Sequence, residues 1–133
     1  MSAETRRLER ERVLSLLYEA EIKDASIQEI LAALPAAPAE FVTRTAEGVG
    51  ADLAGLDAEV ERYAIDWKLE RMAAIDRNIL RLGAWELISR PDLPVAVVIS
   101  EAVELAKRFS TEESGKFVNG ILSALAADAR AAQ

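Results

Sequence analysis

The residues between Val98 and Gly120 contain two apolar stripes separated by a short polar segment, and this feature most constrains the fold. Apolar residues recur every three or four positions in residues 98–109, and the same spacing returns in residues 117–125. That spacing is typical of amphipathic helices. The segment between them is rich in turn-forming residues, and Ser114 occupies the position expected for the N-cap of the second helix. We therefore expect a helical hairpin whose two stripes pack together.

The second helix of this hairpin contains a glycine and runs into an alanine-rich tail. Glycine inside a helix costs about 1 kcal/mol relative to alanine. We expect Gly120 to be there because it permits close packing against another helix. We expect the terminal tail, residues 124–133, to fray.

The rest of the chain shows similar helical periods and lacks the alternating pattern of strands. The first expected helix runs from about Glu4 to Lys23, and the second starts at a capping box of Ser26 and Glu29. The third runs from Pro38 to Leu53. The fourth has its N-cap at Asp57 and a buried stripe that includes Trp67, and the fifth runs from Met72 to the residue before Pro91. We expect one all-α domain, a compact bundle of six to seven helices. Two packed sub-bundles are expected, at about 1–55 and 56–133.

The composition argues against most enzymes. The chain has no Cys, which excludes disulfides and thiol catalysis, and no His, the commonest metal ligand and general base. No glycine-rich phosphate loop occurs, and no nucleophile stands beside a base. We expect no catalytic residues, no metal and no cofactor. No apolar run approaches the roughly 18 residues that span a bilayer, so we expect a cytoplasmic protein without membrane contact.

The net charge of −7 appears unfavourable for nucleic acid binding, but its distribution matters more than its sum. Acidic and basic residues balance in residues 1–23 and again in residues 62–133. The whole deficit comes from residues 24–61, where eight acids face Arg44 alone. A local basic site for RNA is therefore compatible with the composition.

One candidate basic site lies near the start of the chain. In a helical projection, Arg6, Arg7 and Arg10 fall in the arc of the apolar stripe and extend it outward, beyond the core. There they could bind RNA phosphates, and their replacement by Ala should cost little stability. Alternatively, they are a solvated helix start in which Arg6 pairs with Glu9 and Arg7 with Glu11.

A second candidate site lies at the end of the hairpin. Recognition of single-stranded RNA needs cations for phosphates, aromatic faces for unstacked bases and hydrogen-bonding groups for base identity. Lys116 is a candidate cation, Phe117 and Tyr63 are candidate aromatic residues, and Glu113 is a candidate hydrogen-bonding group. Ser114 and Gly115 would offer free helix N–H groups to phosphate. Alternatively, Phe117 is a core residue and Tyr63 a half-buried structural tyrosine.

Two carboxylates of the expected fifth helix, Asp76 and Glu86, fall close to its apolar arc. An unpaired carboxylate there would be costly. Either each caps or pairs within the fold, or one of them faces a partner protein. The nearby candidates for pairing are Arg77, Arg81 and Arg90.

Several segments of the chain resemble a known family in the same order. They are Arg6-Arg7 before Leu17-Tyr18, AIDRNILR at 74–81, WEL at 85–87, PDLP at 91–94, ISEAVELAKRFS at 99–110 and KFVNGILSAL at 116–125. Together they resemble the NusB family of bacterial transcription antitermination factors. The resemblance implies a non-catalytic protein that binds the boxA element of nascent ribosomal RNA together with NusE, a small-subunit ribosomal protein. It also implies a complex with RNA polymerase and other Nus factors.

The resemblance also implies roles for particular residues. The RNA role falls on Arg6, Arg7, Arg10, Tyr63, and the segment from Glu113 through Lys116 to Phe117, and the protein-partner role falls on Asp76 and Glu86. Two positions depart from the family pattern. Glu9 replaces a small residue among the arginines, and Ser100 replaces an Asn.

Two other functions fit parts of the sequence. Glu9 and the acidic segment 24–61 also suit a protein-interaction module that forms a homodimer and binds little RNA. A third possibility is an RNA methyltransferase, since some of these enzymes carry a NusB-like domain. We expect no such activity, because the chain has no room for a cofactor-binding sheet after that domain.

Overall fold

The computed structural model describes residues 2–65 and 67–131, and all regular structure in these residues is helical. These described residues form seven α-helices: α1 (Ala3–Lys23), α2 (Ile27–Ala32), α3 (Glu40–Ala51), α4 (Leu53–Tyr63), α5 (Ala74–Ser89), α6 (Val95–Phe109) and α7 (Glu112–Ala129). A short 3₁₀ helix, Leu69–Arg71, lies between α4 and α5. The all-α prediction is confirmed.

The chain forms two compact units, the first ending at Asp52 and the second beginning at Leu53. The first unit contains α1 to α3 and the second contains α4 to α7. The expected boundary, near residue 55, falls inside α4. None of the helices in the described ranges is long and apolar enough to cross a membrane.

In the first unit, α2 and α3 pack against α1. The predicted N-cap at Ser26 is present, because the Glu29 N–H donates to Ser26 Oγ at 3.1 Å. The Glu29 side chain also turns back to Ser26, as predicted, but its carboxylate accepts a hydrogen bond from the Ser26 hydroxyl, at 3.2 Å. The expected start of α3 at Pro38 is wrong by two residues, since α3 begins at Glu40. Its buried residues are Phe41, Val42, Thr45, Ala46 and Val49.

The predicted limits of the fourth helix are wrong at both ends. Asp57 does not cap it but lies inside α4, where its carboxylate accepts two hydrogen bonds from Arg81, at 2.7 and 2.8 Å. A bidentate charged pair is stronger than a helix cap, which explains the different use of this aspartate. The helix ends at Tyr63, so Trp67 is not on its buried stripe and is 55% exposed.

The predicted hairpin of α6 and α7 is present, and its connection is shorter than expected. Only Ser110 and Thr111 separate the helices. The N-cap of α7 is Thr111, whose Oγ1 accepts the Ser114 N–H at 2.9 Å, so Ser114 is not the cap. Phe109, expected in the apolar stripe, is 45% exposed because it is the last residue of α6.

Glycine has different roles at two helical positions of the second unit. A Cβ atom at Gly83 in α5 would lie 2.6 Å from Leu122 Cδ1, so this glycine permits α5 to approach α7 closely. A Cβ atom at Gly120 would have nothing within 4 Å. The expectation that Gly120 permits close packing is therefore wrong, because this residue lies on the exposed face of α7.

The C-terminal part of α7 is anchored, contrary to the expectation of a fraying tail from residue 124. The helix continues to Ala129, and Arg130 donates hydrogen bonds to the carbonyl oxygens of Leu87 at 2.7 Å and Arg90 at 3.0 Å. These carbonyl groups belong to the end of α5, where helix carbonyls lack partners within the helix. Residues 132 and 133 lie outside the described residues.

Candidate functional site

The arginine-rich start of α1 packs onto an aromatic ring of the first unit. The Arg6 guanidinium lies 3.9 Å from the centre of the Phe41 ring, and its Nη1 is 3.7 Å from Glu9 Oε1. The predicted pairing of Arg6 with Glu9 is therefore confirmed. The Arg6 side chain stays 33% exposed and the Glu9 side chain only 11%. Arg6 thus keeps an open side while Glu9, the departure from the family pattern, is mostly covered.

The structure corrects the expectation for Arg10. This residue is 3% exposed, and its guanidinium lies 5.5 Å from the centre of the same Phe41 ring. It follows Arg6 by one helical turn and so faces the same ring. Arg10 is therefore part of the packing of the first unit and does not lie beyond the core, whereas Arg7 is exposed.

The start of α7 brings together three of the predicted RNA-binding residues. The side chains of Glu113 and Lys116 are 86% and 77% exposed and lie 3.6 Å apart, and Phe117 is half-buried. The expectation of free N–H groups is wrong. The Ser114 N–H donates to Thr111 Oγ1, and the Gly115 N–H donates to the Thr111 carbonyl oxygen at 3.1 Å.

A pocket of about 280 Å³ lies beside this helix start. It is lined by Trp67, Arg71, Met72, Ala73, Asp76, Glu113, Ser114 and Phe117. The rings of Trp67 and Phe117 meet edge to face, with their centres 5.7 Å apart and an interplanar angle of 63°. Sequence reasoning missed Trp67 and Arg71. The available signal was a tryptophan four residues after the end of α4.

Tyr63 lies near the other end of α7. Its hydroxyl donates a 2.5 Å hydrogen bond to Asp128, and the Arg62 guanidinium lies 5.5 Å from the centre of its ring. The hydrogen bond to Asp128 raises the pKa of Tyr63 above its ordinary value. Asp128 follows Phe117 by roughly 16 Å along the helix. The structure therefore does not bring Tyr63 and Phe117 together, and the contacts of Tyr63 agree with a structural role.

Asp76 connects α5 to the start of α7. Its Oδ2 accepts a hydrogen bond from the Ser114 hydroxyl at 2.9 Å, while its Oδ1 is buried without a hydrogen-bond partner. The partner of Asp76 is thus Ser114, which was not among the expected arginines. Ser110 and Thr111 also contact the Ser114 hydroxyl, both at 3.0 Å, and complete a polar cluster at the start of α7.

Glu86 is 2% exposed. Its negative charge contributes to the raised pKa of Arg90, whose main cause is the hydrogen bond from Arg90 to Asp92. This burial favours the alternative in which Glu86 pairs within the fold. Within the described ranges, no group of three acidic residues could hold a metal ion.

Comparison with known proteins identifies the family. The sequence model of the NusB family matches residues 7–127. The chain belongs to the NusB family. A transcription antitermination protein NusB from Sorangium cellulosum is 45% identical over 88% of both chains. The NusB of Myxococcus xanthus is 44% identical over 91% of this chain and 94% of its own. As a member of this family, the chain is a transcription antitermination factor and not an enzyme.

Solved structures agree with this assignment. The T. maritima NusB structure has a TM-score of 0.83 and 38% identity, and the match covers 91% of this chain and 89% of that one. A structure of antitermination factors NusB and NusE in complex with dsRNA has a TM-score of 0.77 and covers 96% of this chain and 99% of that one. Its identity of 24% makes it evidence for the NusB fold alone.

Proposed function

We propose that this NusB-family protein is an RNA-binding adaptor of transcription antitermination. It binds boxA-like single-stranded RNA in nascent ribosomal transcripts together with a NusE-like ribosomal protein. The pair then joins RNA polymerase and other Nus factors in the cytoplasm. Family membership supports this role, and the NusB fold is also found in a complex with NusE and RNA. The observation that carries the proposal is the exposed pair of Glu113 and Lys116 beside the half-buried ring of Phe117 at the start of α7.

Each unit has its own proposed RNA contacts. In the second unit, Lys116 supplies charge for a phosphate, Phe117 a ring for a base and Glu113 a hydrogen-bond acceptor. In the first unit, the exposed sides of Arg6 and Arg7 supply charge. Arg10 supports this segment through its packing with Phe41. Tyr63 is a weaker candidate for RNA binding than the sequence alone indicated, because its hydroxyl is bonded to Asp128 and the Arg62 guanidinium lies near its ring.

The surface of α5 is the proposed contact for NusE. Asp76 remains a candidate because its Oδ1 has no hydrogen-bond partner, but this oxygen is buried, so a cation of a partner protein could pair with it only after the side chain moves. Glu86 would need a change of conformation to reach a partner, since only 2% of it is exposed. Binding of RNA by the pair should be tighter than by either protein, because two linked surfaces share one association cost.

Fluorescence anisotropy of a labelled boxA-type RNA oligomer tests the proposal. The protein is titrated alone and with equimolar NusE, each at two salt concentrations. Lys116→Ala should weaken binding and lower the log-log salt slope by about 0.7, the value for one phosphate of a single strand. Phe117→Leu should weaken binding with little change of slope, because it removes a ring and no charge.

A matched control is Lys23→Ala, which removes another exposed lysine that is paired with an acidic residue, Glu19, at 3.0 Å. This variant should bind RNA like the wild type. Equal RNA affinity with and without NusE would refute the adaptor role. Wild-type protein that binds no boxA-type RNA at either salt concentration would refute RNA binding.

The homodimer is a second candidate, because three exposed apolar residues lie on one side of α1. Leu8 is 64%, Ile22 62% and Tyr18 38% exposed, and their spacing puts them within one arc of the helix. Exposed apolar residues grouped on one side of a helix can form a dimer contact. Sedimentation over a concentration series distinguishes the candidates. A dimer that Leu8→Glu dissociates would support self-association, and a strict monomer would refute it.

A further inference from the structure

We propose that Trp67 is an RNA-contacting residue that forms, with Phe117, a pocket for a single unstacked base. This inference rests on the proposed RNA binding and adds a residue that sequence reasoning had assigned to the buried stripe of a helix. The bound class is an unpaired nucleobase of an RNA strand. The contact is stacking on the indole, beside the ring of Phe117.

The arrangement of the two rings leaves room for a third. In an edge-to-face pair, one ring directs its edge at one face of the other, so three of the four ring faces remain uncovered by the pair itself. Trp67 is 55% exposed and Phe117 is half-buried. An exposed indole beside a half-buried ring is an available stacking surface, and every base has a face that can use it.

The size and lining of the pocket fit one base. Its volume of about 280 Å³ is below the roughly 300–1,000 Å³ of sites for drug-sized ligands, so it suits a smaller planar group. Met72 contributes apolar lining, and Glu113 can accept a hydrogen bond from a base edge. Arg71 is exposed and also lines the pocket, where it can pair with the phosphate attached to the base.

The pocket is held in shape by the contact between α5 and α7. Asp76 accepts the Ser114 hydroxyl at 2.9 Å, and Phe117 follows Ser114 by about one helical turn. Ser114 is 8% exposed, so this connection is a largely covered part of the pocket wall. The position of Phe117 is thus fixed before RNA arrives, which lowers the entropy cost of stacking a base.

Abasic scanning of the boxA-type oligomer tests the pocket. Each nucleotide in turn is replaced by an abasic one, and the affinity of the wild type is measured by anisotropy. Trp67→Ala should weaken binding of the intact oligomer by about 5- to 150-fold, the range of base stacking on an aromatic side chain. At one position the abasic oligomer should show a similar loss with the wild type and almost no further loss with Trp67→Ala.

Two variants control for structure. Trp67→Phe keeps an aromatic face and should recover most of the affinity. Leu53→Ala trims another exposed apolar residue of the second unit, 39% exposed, and should bind like the wild type. In protein labelled with 5-fluorotryptophan, the resonance of Trp67, identified by its loss in Trp67→Phe, should shift on addition of RNA.

The outcomes separate this inference from the proposed function. If Phe117→Leu and Lys116→Ala weaken RNA binding while Trp67→Ala does not, the RNA role stands and the pocket is refuted. Equal losses for Trp67→Ala at every abasic position would also refute it, because the indole would then contact no particular base. A wild type that binds no RNA refutes both proposals.

Discussion

The two helical glycines Gly83 and Gly120 should respond in opposite ways to the same substitution. Alanine in place of glycine inside a helix gains about 1 kcal/mol of intrinsic helix stability. At Gly120 the new methyl group meets nothing within 4 Å, so Gly120→Ala should raise the free energy of unfolding by about that amount. At Gly83 the methyl group would lie 2.6 Å from Leu122 Cδ1.

The steric cost at Gly83 follows from the burial of its neighbour. Leu122 is 0% exposed and its Cδ2 would also be 3.2 Å from the new methyl group, so its side chain has no open space to move into. Overpacking of this kind costs about 1–3 kcal/mol. The free energy of unfolding of Gly83→Ala should therefore be about 1–3 kcal/mol below that of Gly120→Ala, because the gain in helix propensity is common to both variants.

Tryptophan fluorescence during thermal unfolding measures the difference. Both tryptophans of the chain, Trp67 and Trp85, belong to the second unit, which also contains the two glycines. For a unit of this size, 1 kcal/mol shifts the midpoint by about 4–8 °C. The thermal midpoint of Gly120→Ala should therefore lie about 4–8 °C above that of the wild type. Equal midpoints for the two variants would refute the account of α5 packing on α7.

Three further predictions concern polar contacts of the fold. The hydrogen bond to Asp128 raises the pKa of Tyr63. The stability that this hydrogen bond contributes should therefore be complete below the ordinary tyrosine pKa and be lost as pH rises through the higher pKa of the folded state. Tyr63→Phe should abolish this alkaline loss of stability when unfolding midpoints are compared at about pH 8 and about pH 11. Arg130→Ala removes charged hydrogen bonds to carbonyl groups at the end of α5 and should lower the stability of the second unit by about 1–3 kcal/mol in urea unfolding followed by tryptophan fluorescence. Arg10→Ala, at a buried arginine, should lower the free energy of unfolding by about 2–3 kcal/mol when unfolding is followed by circular dichroism. Arg6→Ala should lower it by less than about 1 kcal/mol. Equal losses for the two variants would mean that the burial of Arg10 is unimportant.

Local sequence signals predicted the features that depend on near neighbours in the chain. The N-cap of α2 at Ser26 needs only residues three apart, and Ser26 Oγ accepts the Glu29 N–H as expected. The pairing of Arg6 with Glu9 likewise spans less than one helical turn. The apolar stripes of α6 and α7 required the hairpin, because each helix has one face that must be buried. The cap and the ion pair were predictable because their interactions are complete within a single helix, and the hairpin because its two helices are adjacent in the sequence.

Polar residues with two possible partners were predicted wrongly. Asp57 is a good helix cap by type, but it pairs with Arg81, 24 residues away. Ser114 is also a good cap, but Thr111 takes that role and the Ser114 hydroxyl reaches Asp76. At Asp57 a contact with a distant helix replaced the local one, and at Ser114 an earlier start of α7 left the hydroxyl to bond a distant aspartate. No periodic pattern in the sequence reports such contacts.

The residues of the candidate site also include some that the sequence indicated and some whose surroundings only the structure shows. From the sequence, Phe117 and Lys116 were predicted to contact RNA because they follow a turn and match the NusB resemblance, and this role stays a prediction. Trp67 was assigned to a buried stripe, but it is exposed beside Phe117. Arg10 was expected outside the core and is covered by packing near Phe41.

The sequence by itself determined the helices, their apolar faces and the family, because hydrophobic periodicity and local hydrogen bonds act over three or four residues. Only the tertiary structure decided which arginine is buried, which glycine touches a neighbouring helix and which aromatic residue remains open to a ligand. Those outcomes depend on contacts between residues tens of positions apart. Such contacts form only when the helices pack.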